Sequence, residues 1–143
     1  MGVEHTAEKP ALRRINNPSD ISDAYREVML DAAMVDMVAE LVGPNLKFHH
    51  CKINLKLPGA KTEVSYHQDF AYTPHTNDDI VTALLFLDDI DESNGALTVV
   101  PGSHKRGKID IAALAAEAGT ERLPDAVPIL CAPGDVAMTN RQA

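Results

Sequence analysis

Thr62-Glu63-Val64-Ser65-Tyr66-His67-Gln68-Asp69-Phe70 alternates in character from one residue to the next. Glu63, Ser65, His67 and Asp69 take one set of positions, and Val64, Tyr66, Gln68 and Phe70 take the other. Successive side chains of a strand point to opposite faces, so this spacing predicts a strand over 62–70. His67 and Asp69, two residues apart, then share its polar face.

The flanks extend the same pattern. Ile53, Leu55 and Leu57 alternate with Lys52, Asn54 and Lys56, which predicts a strand ended by Pro58-Gly59. Ile80 to Leu87 is a continuous apolar run, expected as a strand buried on both faces. A turn region from Asp88 to Gly95 leads into a short strand over 96–100, stopped by Pro101-Gly102. The Ala-rich stretch 109–118 reads as a helix with Gly119 as its stop, and 127–132 and 136–139 read as two short strands around Pro133-Gly134-Asp135.

Upstream, the period is helical. Met34, Val38 and Leu41 recur at helix spacing with Val35 and Val42 beside them, and Gly43-Pro44 is a stop. A shorter helix is expected from Ile21 to about Leu30, with Ser19 or Asp20 as its cap. Residues 1–17 read as a polar tail and 18–143 as one domain. Helices followed by many short strands, with no regular crossover helices, favour an antiparallel sandwich or barrel over a doubly wound sheet.

Bulk properties narrow the function. The chain has 143 residues and a net charge of −8, and its longest basic run is Lys105-Arg106, which argues against a nucleic-acid partner. No apolar run approaches the roughly 18 residues of a membrane span, and the polar start of the chain carries no secretory signal, so a cytoplasmic protein is expected. The acidic groups Asp78-Asp79, Asp88-Asp89 and Asp91-Glu92 fall in predicted turns and read as solvated charge. Cys51 and Cys131 have neither metal-binding nor disulfide spacing and read as buried free thiols. No feature of the sequence sets an oligomeric state.

The chemistry rests on His67 and Asp69. An imidazole and a carboxylate on one strand face can bind one metal ion side by side. With a second histidine they make the facial triad of non-heme iron(II) oxygenases, which leaves three coordination positions open. His-x-Asp alone is a weak motif, because a strand can simply turn both side chains to solvent. The other histidines show no spacing that demands metal. His75 lies in a Pro-containing loop, suited to loop packing or a substrate contact. His104 follows Pro101-Gly102 in a turn, His5 lies in the tail, and His49 and His50 are adjacent, so on a strand they would face opposite ways.

The surroundings of the motif resemble the phytanoyl-CoA dioxygenase family of iron(II)/2-oxoglutarate enzymes. The resemblance is carried, in order, by Lys52-Ile-Asn-Leu-Lys-Leu-Pro-Gly59, Tyr66-His-Gln-Asp-Phe70, Pro74-His-Thr-Asn-Asp-Asp79, Leu87-Asp-Asp89, Asn94-Gly-Ala-Leu97 and Pro101-Gly-Ser-His-Lys105. It covers about residues 40–143, and the ordered set is specific although no single piece is. It implies a double-stranded β-helix, or jelly roll, with iron in the mouth between two sheets. It also implies His67 and Asp69 as Fe(II) ligands, with 2-oxoglutarate and O2 as cosubstrates and a small organic molecule as substrate. Asn54 and Lys56 match the polar helpers that hold 2-oxoglutarate, and Thr82 is a further candidate. Gln68 and Tyr72 are candidate walls of the substrate pocket.

In the family, Gly-Asp and a strand precede the distal His, and the cosubstrate Arg follows it. Gly134-Asp135-Val-Ala-Met-Thr-Asn-Arg-Gln-Ala143 follows that pattern, so the His is expected just past Ala143, and Arg141 is not equated with the cosubstrate Arg. The chain is therefore expected to hold two ligands of three, as an incomplete jelly roll of a dioxygenase. The alternatives are a catalytically incomplete fragment and a cupin-like binding module without oxygenase chemistry.

Overall fold

The computed structural model describes residues 6, 8, 12–58, 64–77, 79–118, 123 and 125–140. They fall into two compact units, Met1–Ser65 and Tyr66–Ala143.

In the first unit, strand β1 (Arg14–Asn16) pairs antiparallel with β2 (Lys52–Asn54), with Ile15 opposite Ile53. β1 lies within the segment expected as tail. Its ladder continues on both sides, through Leu55 N to Arg13 O at 2.9 Å and Asn17 N to Cys51 O at 2.9 Å. A 3-10 turn over Pro18–Asp20 follows Asn17, whose positive φ of 47° bends the chain. Helix α1 (Asp23–Met29) therefore starts from Ser22 rather than from Ser19 or Asp20. Ser19 is instead buried, with its hydroxyl 3.3 Å from Cys51 Sγ.

Helix α2 (Ala32–Val42) is capped by Asp31, whose Oδ1 accepts from Ala33 N at 3.0 Å and Met34 N at 3.3 Å. It ends at Gly43, whose φ of 95° suits glycine. Its half-buried stripe is Met34, Val35, Val38, Ala39 and Val42, while Leu41 turns outward. His49 and His50 lie outside any strand, and their rings meet edge-on with centroids 4.7 Å apart. The expected opposite facing does not occur, because the strand that would impose it begins only at Lys52.

The second unit is built of antiparallel pairs. β3 (Val81–Leu85) pairs with β6 (Val136–Asn140), matching Thr82 to Thr139 and Val81 to Asn140. β4 (Leu97–Val99) pairs with β5 (Val127–Ile129), nested inside the first pair. An Ile90–Cys131 bridge keeps the β3–β6 register, and the Asp91–Gly95 turn takes up the shift before β4. At the other arm, Gly134 with φ 95° turns the chain into β6, and its N–H donates to Phe86 O at 2.8 Å. Helix α3 (Ile111–Ala118) lies between β4 and β5 in sequence. Its expected stop at Gly119 falls outside the described residues. β3 is half-buried at every position and Leu87 beyond it is exposed, short of the burial on both faces expected of the unbroken apolar run.

The strand expected over 62–70 does not form in its described part, 64–70. Residues 62–63 lie outside the described set, 64–68 belong to none of the described strands, and Asp69–Ala71 is a 3-10 turn. Alternation favours extended backbone, and Gln68 is extended at φ −104°, ψ 133°. A strand also needs a paired edge, and here the carbonyls are captured locally. Ala71 N donates to Gln68 O at 3.0 Å, and Tyr72 N and Thr73 N donate to Asp69 O at 2.9 and 3.0 Å. Burial is shallow among the described residues: Leu123 and Ala126 are the buried members of the apolar core, and Gln68, in the same unit, is a buried polar residue.

Candidate metal centre

The extended backbone at Gln68 keeps His67 and Asp69 on one side even without a sheet. His67 Nε2 stands 3.5 Å from Asp69 Oδ1, and each side chain is about one third exposed. The start of the 3-10 turn then fixes Asp69, whose carbonyl also accepts from the Thr73 hydroxyl at 3.1 Å. The second carboxylate oxygen is occupied too: Thr82 Oγ1, on β3, donates to Asp69 Oδ2 at 3.0 Å. Tyr72 sets its ring edge-on to His67, with centroids 5.3 Å apart at 86°.

Gln68 points the other way and is 8% exposed. Its Nε2 donates to Gly107 O at 3.0 Å and its Oε1 accepts from Ile109 N at 2.9 Å, so one amide holds both sides of Lys108. Tyr66 is tied to β4 by the Thr98 hydroxyl, which donates to its phenol oxygen at 2.8 Å. The segment 66–69 is thus anchored to β3, to β4 and to the 107–109 loop. A cavity of about 460 Å³ opens beside it, walled by Tyr66, His67, Phe70, Pro74, Lys108 and Ile109 among others.

The donors fit a divalent first-row ion. An imidazole nitrogen and a carboxylate oxygen on neighbouring octahedral positions, each bound at about 2.1 Å, stand about 3.0 Å apart. The observed 3.5 Å is a small side-chain adjustment away. The Thr82 hydroxyl holds Oδ2 and leaves Oδ1 turned to His67, the kind of outer contact that would orient a carboxylate ligand. Among the described residues no third His, Cys, Asp or Glu completes a cluster.

The remaining candidates lie on other elements. Asn54 sits on β2 of the first unit, exposed, with Oδ1 accepting from Arg14 Nε at 3.2 Å. Lys56 follows β2 and is exposed. His75 closes its own loop, its Nδ1 against the Thr73 carbonyl, and His104 is exposed in the Ser103–Arg106 turn. The Gln68 amide clamp and the Tyr66–Thr98 bond were missed in sequence. Both join residues far apart in the chain, and a single polar residue in an alternating segment does not announce its partner.

A model of the phytanoyl-CoA dioxygenase (PhyH) family matches residues 2–140. The chain belongs to that family. Among its relatives, a probable alpha-ketoglutarate-dependent hypophosphite dioxygenase of Stutzerimonas stutzeri is 44% identical over 98 residues, which is 68% of this chain and 34% of that protein. L-proline trans-4-hydroxylase of Streptomyces griseoviridis is 29% identical over 70% of this chain and 39% of its own length. The peroxisomal phytanoyl-CoA dioxygenase of Bos taurus is 27% identical over 71% of this chain and 31% of its own length. The matched stretch therefore spans about a third of the length of these family members. Among the described residues, no helix is long and apolar enough to cross a membrane.

Proposed function

We propose that the protein carrying this chain is an iron(II)/2-oxoglutarate-dependent dioxygenase acting on a small molecule. The observation that carries the reading is the His67–Asp69 pair, with Asp69 held from behind by Thr82. The family match and the dioxygenase and hydroxylase names of the relatives support it.

His67 Nε2 and Asp69 Oδ1 would hold Fe(II). When bound, the ion supplies open positions for a bidentate 2-oxoacid and O2, and couples the oxidation of both organic partners. In the overall balance, 2-oxoglutarate and O2 would be consumed, succinate and CO2 would leave, and one oxygen atom would enter a substrate C–H bond, or a P–H bond where the substrate is a hypophosphite-like oxyanion. The chain's own residues bind and orient. Thr82 fixes the carboxylate, Tyr72 covers one edge of His67, and Gln68 keeps the ligand segment against the 107–109 loop. Asn54 and Lys56 are assigned to the carboxylates of 2-oxoglutarate, where an ammonium and an amide supply charge-assisted and neutral hydrogen bonds. Gln68 and Tyr72 are assigned to the substrate side.

The third ligand and the cosubstrate Arg are assigned to sequence following β6. In the β3–β6 register, Asn140 lies opposite Val81, next to the residue that holds Asp69. The described end of β6 therefore pairs with the part of β3 that holds Asp69. The nested β3–β6 and β4–β5 pairing supports a jelly roll, which forms when one long antiparallel ribbon rolls up.

The test is succinate release from 2-oxoglutarate by the full-length protein with Fe(II) and O2, with His67→Ala as the comparison. Succinate from the wild type and none above background from the variant is the expected result. Equal turnover in both would remove His67 from the site, and no turnover with any small-molecule substrate would overturn the activity.

A further inference from the structure

The cavity beside His67 has a polarity that its metal-site role does not explain. Its floor and sides are apolar, with Phe70, Pro74, Ile109 and Ile111 among them. Among the described residues that line it there is no carboxylate, although the whole chain carries a charge of −8. Its cation, apart from any charge on His67, is Lys108. Among the described residues Lys108 makes no ion pair and no side-chain hydrogen bond. Lys108 is exposed, an arrangement that lets the aliphatic stem lie along the apolar wall with the ammonium at the mouth.

The position of Lys108 is also built. The buried Gln68 amide holds the carbonyl of Gly107 and the N–H of Ile109, the residues on either side. Gln68 is itself the residue between His67 and Asp69. The metal pair and the loop bearing the cation are therefore tied through one side chain, and the backbone of Lys108 cannot drift without breaking two hydrogen bonds.

We infer that Lys108 anchors the substrate, and that the substrate is a small anion bearing a carboxylate or a phosphorus oxyanion. Gln68 acts as the positioning residue. The inference rests on the dioxygenase reading for the chemistry done in the cavity, but not for the binding of the anion. A volume of about 460 Å³ suits a small molecule. The apolar wall takes the substrate's body beside His67, and the ammonium takes its charge at the mouth. A charge-assisted bond at this position makes binding both charge-selective and salt-sensitive.

The test is calorimetric titration of the full-length protein with hypophosphite and, separately, L-proline, each with and without Fe(II) and 2-oxoglutarate under anaerobic conditions. Prolinamide serves as the carboxylate-free partner of L-proline. The wild type should bind at least one of the two probes, with affinity falling as salt rises, and the one that binds tells a phosphorus oxyanion from a carboxylate group. Lys108→Met should bind it about 10- to 100-fold more weakly and lose the salt dependence. Lys108→Arg should restore most of the affinity, and Lys105→Met, outside the cavity, should match the wild type.

Equal binding by wild type and Lys108→Met, or no anion binding by the wild type in either state, overturns the inference. Tight binding of prolinamide in place of L-proline also overturns it. So does a loss confined to 2-oxoglutarate, because that makes Lys108 a cosubstrate residue. Failure of succinate release in the separate turnover assay overturns the dioxygenase reading, while the titrations still decide Lys108.

Discussion

The Thr82 hydroxyl donates to Asp69 Oδ2 at 3.0 Å, while the other oxygen of the same carboxylate faces His67. Losing this contact frees the carboxylate to rotate, so Thr82→Val should weaken divalent metal binding by about 10- to 100-fold, the usual effect of removing an outer partner of a ligand. Thr82→Ser keeps the donor and should bind like the wild type. Titration of the full-length protein with Mn(II), followed by electron paramagnetic resonance, measures it. An unchanged affinity in Thr82→Val would dismiss Thr82 as an orienting group.

The Gln68 amide, buried between two backbone groups of the 107–109 loop, makes a prediction about stability. Gln68→Leu leaves the Gly107 carbonyl and the Ile109 N–H without their partner, which costs about 1–3 kcal/mol. Gln68→Glu keeps the acceptor for Ile109 N but sets a carboxylate oxygen against the Gly107 carbonyl, so it should not recover the loss. Urea denaturation of the three proteins checks the order. If Gln68→Leu unfolds at the wild-type midpoint, the clamp contributes nothing.

Local signals were legible in the sequence and pairings were not. Gly43-Pro44 marks the end of α2 because a positive φ and a proline both end a helix locally. The Ile80–Leu87 run marks β3 because an unbroken apolar stretch needs cover on both faces. That β3 would pair with β6, and β1 with β2, depends on contacts across long stretches of chain that no local pattern encodes. The same division explains residues 64–70, where the alternation marked extended backbone but could not show that no neighbouring strand would pair with it.

The candidate site divides in the same way. His67 and Asp69 come together because the spacing that puts them on one strand face needs only an extended Gln68 between them. Thr82 was open to inference from its place on the run after the motif, though as a cosubstrate contact. In the structure its hydroxyl donates to Asp69. Lys108 carries no motif, and only the fold brings it to the wall of a cavity shared with His67.

The turn that shifts the register between the Ile90–Cys131 bridge and β4 is held by Asp91. Its Oδ1 accepts from Ser93 Oγ at 2.6 Å, Ser93 N at 2.7 Å and Asn94 N at 3.1 Å. The Ser93 side chain and backbone bonds, and then Asn94, hold the Asp91 carboxyl below its ordinary range. A depressed carboxyl stabilises the fold above the unfolded-state value of about 4, and that stability is lost as pH falls through the lower folded-state value. Asp91→Ala should therefore melt below the wild type at neutral pH, with the gap narrowing as the pH drops below about 4. Thermal melts across that range measure it, and a gap that stays constant or widens in acid would contradict the assignment.

Cys131 pairs with Ile90 at the centre of the same ribbon and is a free thiol. Burial pushes its pKa up, and the negative charge of Asp135 adds to the rise. The thiolate is the reactive form, so a raised value means slow alkylation at neutral pH. In a Cys51→Ser background, where Cys131 alone reports, the iodoacetamide rate should reach its midpoint above the value of about 8.5 for a free thiol. Asp135→Asn removes the charge while keeping an acceptor for the Ala132 N–H, which now meets Asp135 Oδ2 at 2.8 Å. That variant should move the midpoint down and speed alkylation at pH 8. A midpoint at or below the free-thiol value, or no response to Asp135→Asn, would show that neither burial nor Asp135 governs this thiol.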